Sequence, residues 1–176
     1  MKIYLLLLPL LWVLLGCQKD DPNPVDQLPP ATHTGANTFG CLVNGQAWTP
    51  QGYDGGSNYS VVYDSGLNGG LFDLKTYRYP GGSNKFQNIA LNIISNARIG
   101  SYSLGDTQRT RVVFQDTNTN CYWNSRDSAT TYRRGTLTIT RLDLQAGIIS
   151  GTFAFTLYKP GCDSVRVTHG RFDKRL

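Results

Sequence analysis

Gly135-Thr136-Leu137-Thr138-Ile139-Thr140 and, beyond a polar turn, Thr152-Phe153-Ala154-Phe155-Thr156-Leu157 place an apolar residue at every second position. A period of two with threonines between is the pattern of a strand that buries one face and shows the other to water. Ser164 to Phe172 continues the alternation through Val165 and Val167, so the three segments read as an antiparallel meander. Working outward from it, Phe39, Cys41 and Val43 share one face ahead of Asn44-Gly45, a dipeptide that favours a type I′ hairpin. Further strands are expected over 59–63, 71–78, 86–95, 101–104, 110–115 and 120–124, each bounded by Gly, Asn, Asp or Pro. The twelve acidic residues are all Asp, and no segment past the N-terminal apolar run holds a helical period over ten residues. The fold class is therefore all-β, a single antiparallel β-sandwich or a partly open barrel, with Trp48 in its core.

The N-terminus carries a different signal. Ile3 to Leu15 is an apolar run behind Lys2, shorter than the roughly 20 residues needed to cross a bilayer, so it reads as the core of a signal peptide. Leu14-Leu15-Gly16-Cys17 ends it, and the segment resembles the lipobox of bacterial lipoproteins. That resemblance implies cleavage after residue 16, lipidation of Cys17 with palmitate-type chains, and a membrane partner reached through the anchor. Lys19-Asp20-Asp21 resembles the export signal of surface-exposed Bacteroidota lipoproteins, which implies an outer-membrane location with the domain at the cell surface, the alternative being the periplasmic face. Pro22, Pro24, Pro29 and Pro30 with no apolar period mark a tether. The expected organisation is a signal peptide over 1–16, a lipidated, Pro-rich, flexible tether over 17–37 and a β-domain over 38–176.

Three cysteines lie in the domain, in a compartment that permits disulfides, so one bridge and one remaining thiol are expected. Cys121 with Cys162 is favoured, because the meander brings the 159–163 loop back toward the start of the Gly135 strand. Cys41 with Cys162 is the competing pairing, since strand order cannot be read from the pattern and a bridge needs Cα atoms within about 7 Å.

Thr38-Phe39-Gly40-Cys41-Leu42-Val43-Asn44-Gly45, Gly135-Thr136-Leu137-Thr138-Ile139-Thr140, Ile149-Ser150-Gly151-Thr152-Phe153 and Gly170-Arg171-Phe172-Asp173 resemble an uncharacterised family of Bacteroidota lipoproteins. The resemblance spans most of the domain. It implies an envelope location and β-class, and it transfers no catalytic or binding residue. Gly170 reads as a bulge or a close backbone approach.

Catalytic constellations are sparse. His33 falls in the tether, leaving His169, which could be drawn with Ser164 and Asp163 or Asp173 as a triad but reads more simply as a strand histidine. No Gly-x-Ser-x-Gly or His-Glu-x-x-His occurs, so the reading leans away from an enzyme, and no cofactor is called for. Asp116, Asn118, Asn120 and Asp127 follow the spacing of a calcium loop, but Cys121 occupies the position that needs Gly, and a polar turn explains the stretch equally well. Gly-Gly-Ser-Asn at 55–58 and at 81–84 lacks the strand-to-helix context of a phosphate cradle. The formal charge of +5 comes with arginines spaced singly apart from Arg133-Arg134, which excludes a nucleic-acid patch.

Aromatic residues beside polar loops give the ligand-binding candidates Tyr53, Tyr59, Tyr77, Tyr79, Tyr122, Trp123 and Tyr132, because rings there stack on sugars or grip a protein. The function read from the chain is a lipid-anchored envelope module that binds glycan, peptide or a partner protein. A structural role in envelope assembly is the alternative, and a hydrolase comes third.

Overall fold

The architecture was taken from a computed structural model, which describes residues 23–80 and 85–176. The lipobox, Lys19-Asp20-Asp21 and the second Gly-Gly-Ser-Asn lie outside the described residues. Eleven strands follow one another as β1 (Thr38–Val43), β2 (Gln46–Trp48), β3 (Tyr59–Asp64), β4 (Leu71–Arg78), β5 (Gln87–Ile93), β6 (Gly100–Ser103), β7 (Thr110–Asp116), β8 (Cys121–Asn124), β9 (Tyr132–Asp143), β10 (Ile148–Lys159) and β11 (Asp163–Arg175). They form two antiparallel sheets, one ordered β2-β1-β11-β10-β9-β6 and the other β3-β4-β5-β7-β8. The sheets face each other as a β-sandwich and do not close into a barrel, which decides between the two architectures the alternation allowed.

Alternating residues of both sheets supply one core. Leu137, Ile139, Phe153, Phe155, Val165, Val167 and Phe172 come from the larger sheet; Phe72, Leu74, Ile89, Leu91, Ile93, Val112 and Phe114 come from the smaller. Phe39 joins the sheets' interiors at one end, stacked on Phe153 at 5.3 Å and edge-on to Trp48 at 5.6 Å. Such ring pairs add about 0.5–1.5 kcal/mol each beyond the area they bury.

The meander β9-β10-β11 is present as the alternation predicts, and its irregularities are placed by glycines. A Cβ on Gly170 would lie 2.5 Å from the Phe153 ring, and the β10-β11 register shifts between Phe153 and Phe155 opposite His169, whose φ is +53°. Absence of a side chain lets Phe153 cross that point, and the bulge absorbs the offset.

Cys121 and Cys162 are bridged, with Cα atoms 5.6 Å apart. The bond ties β8, an edge of the smaller sheet, to the β10-β11 turn of the larger one. Trp123 Nε1 donates to the Asp163 carbonyl at 3.1 Å, and Lys159 Nζ to the Tyr122 carbonyl at 3.1 Å, along the same seam. Cys41 is the remaining thiol, fully buried between Phe39 and Val43. Burial, outweighing the nearby Arg78 charge, pushes its pKa up to about 12. A protein lacking residues 1–17 is thus expected to show no thiol to an aromatic disulfide reagent until it unfolds, and then one per chain without reductant.

From Asn23 on, the stretch expected to be a flexible tether is held on the domain instead. A 3-10 turn, Pro24–Gln27, leads to Leu28, which is buried, and Pro29 packs on Gly40, where a Cβ would sit 2.7 Å from its ring. From there the chain crosses the outer face of the larger sheet. Arg171 Nη1 donates to the Pro29 carbonyl at 3.3 Å, and Arg141 Nη1 donates to the carbonyl of His33. The segment then turns back over Asp173 into β1. Its hydrogen-bond partners, Arg141, Arg171 and Asp173, come from the far end of the sequence, so the local proline signal could not reveal them.

Candidate functional site

The outer face of β3-β4-β5-β7-β8 carries no covering segment among the described residues, and antiparallel register sorts its outward side chains into rows. One row runs Asp73, Asn92, Arg111; the next Lys75, Ala90, Val113, Asn124; the third Tyr77, Asn88, Gln115, Tyr122. Rows one and three are separated by four residues along each strand, roughly 13 Å. Between them the small side chains of Ala90 and Val113 make a low floor. The result is a trough of about 690 Å³ crossing the strands, lined also by Asp54, Tyr79, Phe86 and Arg126.

One wall is aromatic and amide-bearing. The Tyr77 hydroxyl donates to Asp54 Oδ1 at 2.6 Å and accepts from the Asp54 N–H at 3.1 Å, which fixes the 53–58 loop against the rim and the ring beside the trough. Tyr79 meets Tyr77 edge-on at 5.6 Å and tilts against Phe86 at 6.0 Å. Asn88 Nδ2 donates to Gln115 Oε1 at 2.9 Å, orienting both amides. The opposite wall is charged. Asp73 accepts from Asn92 Nδ2 at 2.5 Å and pairs with Lys75 at 2.7 Å, so its charge is already answered.

At the β7-β8 end Arg111 Nε donates to Asn124 Oδ1 at 3.3 Å and Nη2 to the Tyr122 hydroxyl at 3.3 Å. Arg126 reaches the same corner from the β8-β9 turn. Its backbone N–H donates to the same Asn124 Oδ1 at 3.2 Å, and its guanidinium donates to the carbonyls of Thr110 and Gln108, each at 3.4 Å. Planar amides, tyrosine rings and guanidiniums around a shallow floor are the groups that satisfy the hydroxyls of a sugar while stacking on its C–H face.

Of the seven aromatic candidates, Tyr77, Tyr79 and Tyr122 come together here. Tyr59 and Trp123 do not, because both point inward and each is only 5% exposed. Lys174 Nζ lies 4.9 Å from the Tyr59 ring centre, and burial, together with the Asp173 charge, holds the Tyr59 hydroxyl well above the ordinary tyrosine range. Tyr53 stands out on the 53–58 loop at 78% exposure, and Tyr132 belongs to β9 in the other sheet. Strand parity decides these cases: residues 77 and 122 are outward and 59 and 123 inward in their strands. Arg111, Arg126, Asn88, Asn92 and Gln115 were not singled out from the sequence. The signal available was the polar alternation of Gln87 to Ile93, which marks an outward face without saying what lies beside it.

The other candidate constellations do not assemble. Asp116 Oδ1 accepts from the N–H and side-chain amide of Asn118, while Asp127 caps Ala129 at the opposite end of β8, so the calcium spacing corresponds to two separate turns. His169 Nδ1 lies 3.3 Å from Thr168 Oγ1, and the Asp173 carboxylate is buried under donors from residues 32–36 and Ser150, out of reach as a triad partner. Among the described residues no cluster of three His, Cys, Asp or Glu side chains is placed to hold a metal, and no helix is long and apolar enough to cross a membrane.

Fold and trough together define a two-sheet β-sandwich domain with a polar, ring-lined groove on one outer face. Residues 81–174, β5 to β11, match the family model described as Domain of unknown function (DUF6252), and the chain belongs to that family. No curated protein and no solved structure matches it.

Proposed function

We propose that this protein is a lipid-anchored binding module of the outer membrane that holds a glycan in the trough on the β3-β4-β5-β7-β8 face. The observation that carries the reading is the trough itself: a floor of small side chains between a tyrosine-amide wall and a charged wall, with its polar groups held by neighbours before any ligand arrives. Such preorganisation reduces the entropy lost on binding.

The N-terminal course supports the same reading. Residues 29–36 are clamped on the larger sheet, opposite the trough, and five residues, Gln18 to Pro22, lie between Cys17 and Asn23. At about 3.6 Å per residue these span at most about 20 Å. An anchored domain would sit near the lipid with the larger sheet toward it and the trough facing away.

The test uses protein lacking residues 1–17, which retains every core residue of the two sheets. Calorimetric titration with a panel of neutral and acidic oligosaccharides should find a binder, and Ala90→Trp, which fills the floor from an outward position, should weaken that binding at least tenfold without lowering Tm. A panel that gives no heat, or an Ala90→Trp protein that binds as well as wild type, would remove the proposal.

A further inference from the structure

We infer that the β7-β8 end of the trough is an anion site, built for the carboxylate of a uronic acid residue in a glycan chain. The inference rests on the glycan reading above and names the class of sugar. Arg111 and Arg126 both line this end of the trough, and Asn124 Oδ1 accepts from the Arg111 side chain at 3.3 Å and from the Arg126 backbone N–H at 3.2 Å. The remaining partners of both are neutral: the Tyr122 hydroxyl and the carbonyls of Thr110 and Gln108.

Among the described residues the ion pairs are Lys75–Asp73 and Arg141–Asp143, so neither Arg111 nor Arg126 has a carboxylate partner. The acids nearby in sequence are committed to turns, Asp106 to the N–H groups of Gln108 and Arg109, and Asp127 to that of Ala129. A guanidinium surrounded by neutral partners keeps its full attraction for a negative group that enters the trough. Guanidinium groups are planar forks that match a carboxylate through paired N–H donors, and Arg111 is only half-exposed, where such a pair is less screened than on open surface.

The rest of the trough fits the sugar that would carry the acid. Tyr122 stands next to Arg111, and the Val113 and Ala90 floor continues from it across β7 and β5. A carboxylate seated at Arg111 and Arg126 would lay its ring on that floor and direct the chain toward Tyr77 and Tyr79. The cationic corner faces only one end, so it orients the chain as well as selecting it.

The experiment measures binding of oligogalacturonate, its methyl ester and a sulfated oligosaccharide of the same length to protein lacking residues 1–17. The comparison is repeated with Arg111→Gln and Arg126→Gln, whose outward side chains leave the core untouched; equal Tm values confirm this. The acid is expected to bind at least tenfold more tightly than its ester. Each variant should lose that margin, so that it binds acid and ester alike, and added salt should weaken the acid alone.

Equal affinity for acid and ester, or variants that keep the margin, would overturn the anion site and leave the glycan trough standing. Tighter binding of the sulfated chain than of the uronate would overturn the carboxylate assignment. Failure of all three probes, with binding of an unrelated neutral glycan, would overturn the uronate assignment alone. Failure of every glycan would overturn both readings.

Discussion

Replacing Asp173 by alanine should destabilise the domain by about 3–4 kcal/mol, lowering Tm by roughly 10 °C for a domain of this size. The buried carboxylate is the point on which the N-terminal segment closes. Oδ2 accepts from Thr32 Oγ1 at 2.6 Å and from the N–H groups of Thr34 and Ala36 at 2.9 and 3.1 Å; Oδ1 accepts from Gly35 N–H at 2.8 Å and Ser150 Oγ at 2.7 Å. Three consecutive backbone donors around one anion form a nest that alanine leaves empty. The segment over residues 28–37 should then open, and limited proteolysis would find cleavage there while β1 to β11 stay protected. A variant that keeps wild-type Tm and protease resistance would show that the carboxylate is not what holds the segment.

The pH dependence follows from the same contacts. Burial alone would raise the Asp173 pKa, but the hydrogen bonds from Thr32, Ala36, Ser150 and Gly35 outweigh it and hold the carboxyl well below the ordinary range. With the folded value lower than the unfolded value of about 3.9, the contribution is complete above about pH 5. It falls as pH drops through 4 toward the folded value, where protonation ends it. Wild type should therefore lose more stability between pH 5 and pH 2.5 than Asp173→Asn does. Parallel curves for the two proteins would contradict the assignment.

Breaking the Cys121–Cys162 bridge with a double serine variant is the second large effect. Its separation of 41 residues corresponds to about 4 kcal/mol of unfolded-chain entropy, or a Tm lower by about 10 °C. The loss should be structural as well, because the bridge holds edge strand β8 to the β10-β11 turn, and β8 carries Tyr122 and Asn124 into the trough. Amide exchange should quicken first in Cys121 to Asn124. The two clamps act near opposite ends of β11, some 30 Å apart at about 3.3 Å per residue, so their effects should add. Unchanged Tm on removing the bridge would place the stability of that seam in Trp123, Lys159 and the core instead.

Much of the fold was legible because a sheet with one wet face writes its parity into the sequence. Leu137-Thr138-Ile139-Thr140 and Phe153-Ala154-Phe155-Thr156 announce which side chains enter the core, and Asn44-Gly45 announces a turn. The same parity also sorts the aromatic residues into inward and outward ones. Tyr59 and Trp123 were ranked by their nearness to polar loops, yet each alternates with the outward residues of its own strand and lies inside. The prolines at 29 and 30 read as a spacer, but they lie against β1 and beside Arg171 of β11, a strand more than a hundred residues away in the chain.

By itself, the sequence determined the β-class, the strand set, the closing meander and the turn chemistry, since each depends on near-neighbour periodicity or on a single chain reversal, while the choice between the two cysteine pairings waited on the structure. Only the tertiary structure decided sandwich over barrel, the landing of residues 28–37 on Asp173, and the gathering of Arg111, Arg126, Tyr77 and Tyr122 around one trough. Those outcomes depend on strand order and lateral register, which are set by how two sheets bury their apolar faces against each other. No local pattern encodes which strands become neighbours, so the site exists only once the core has formed.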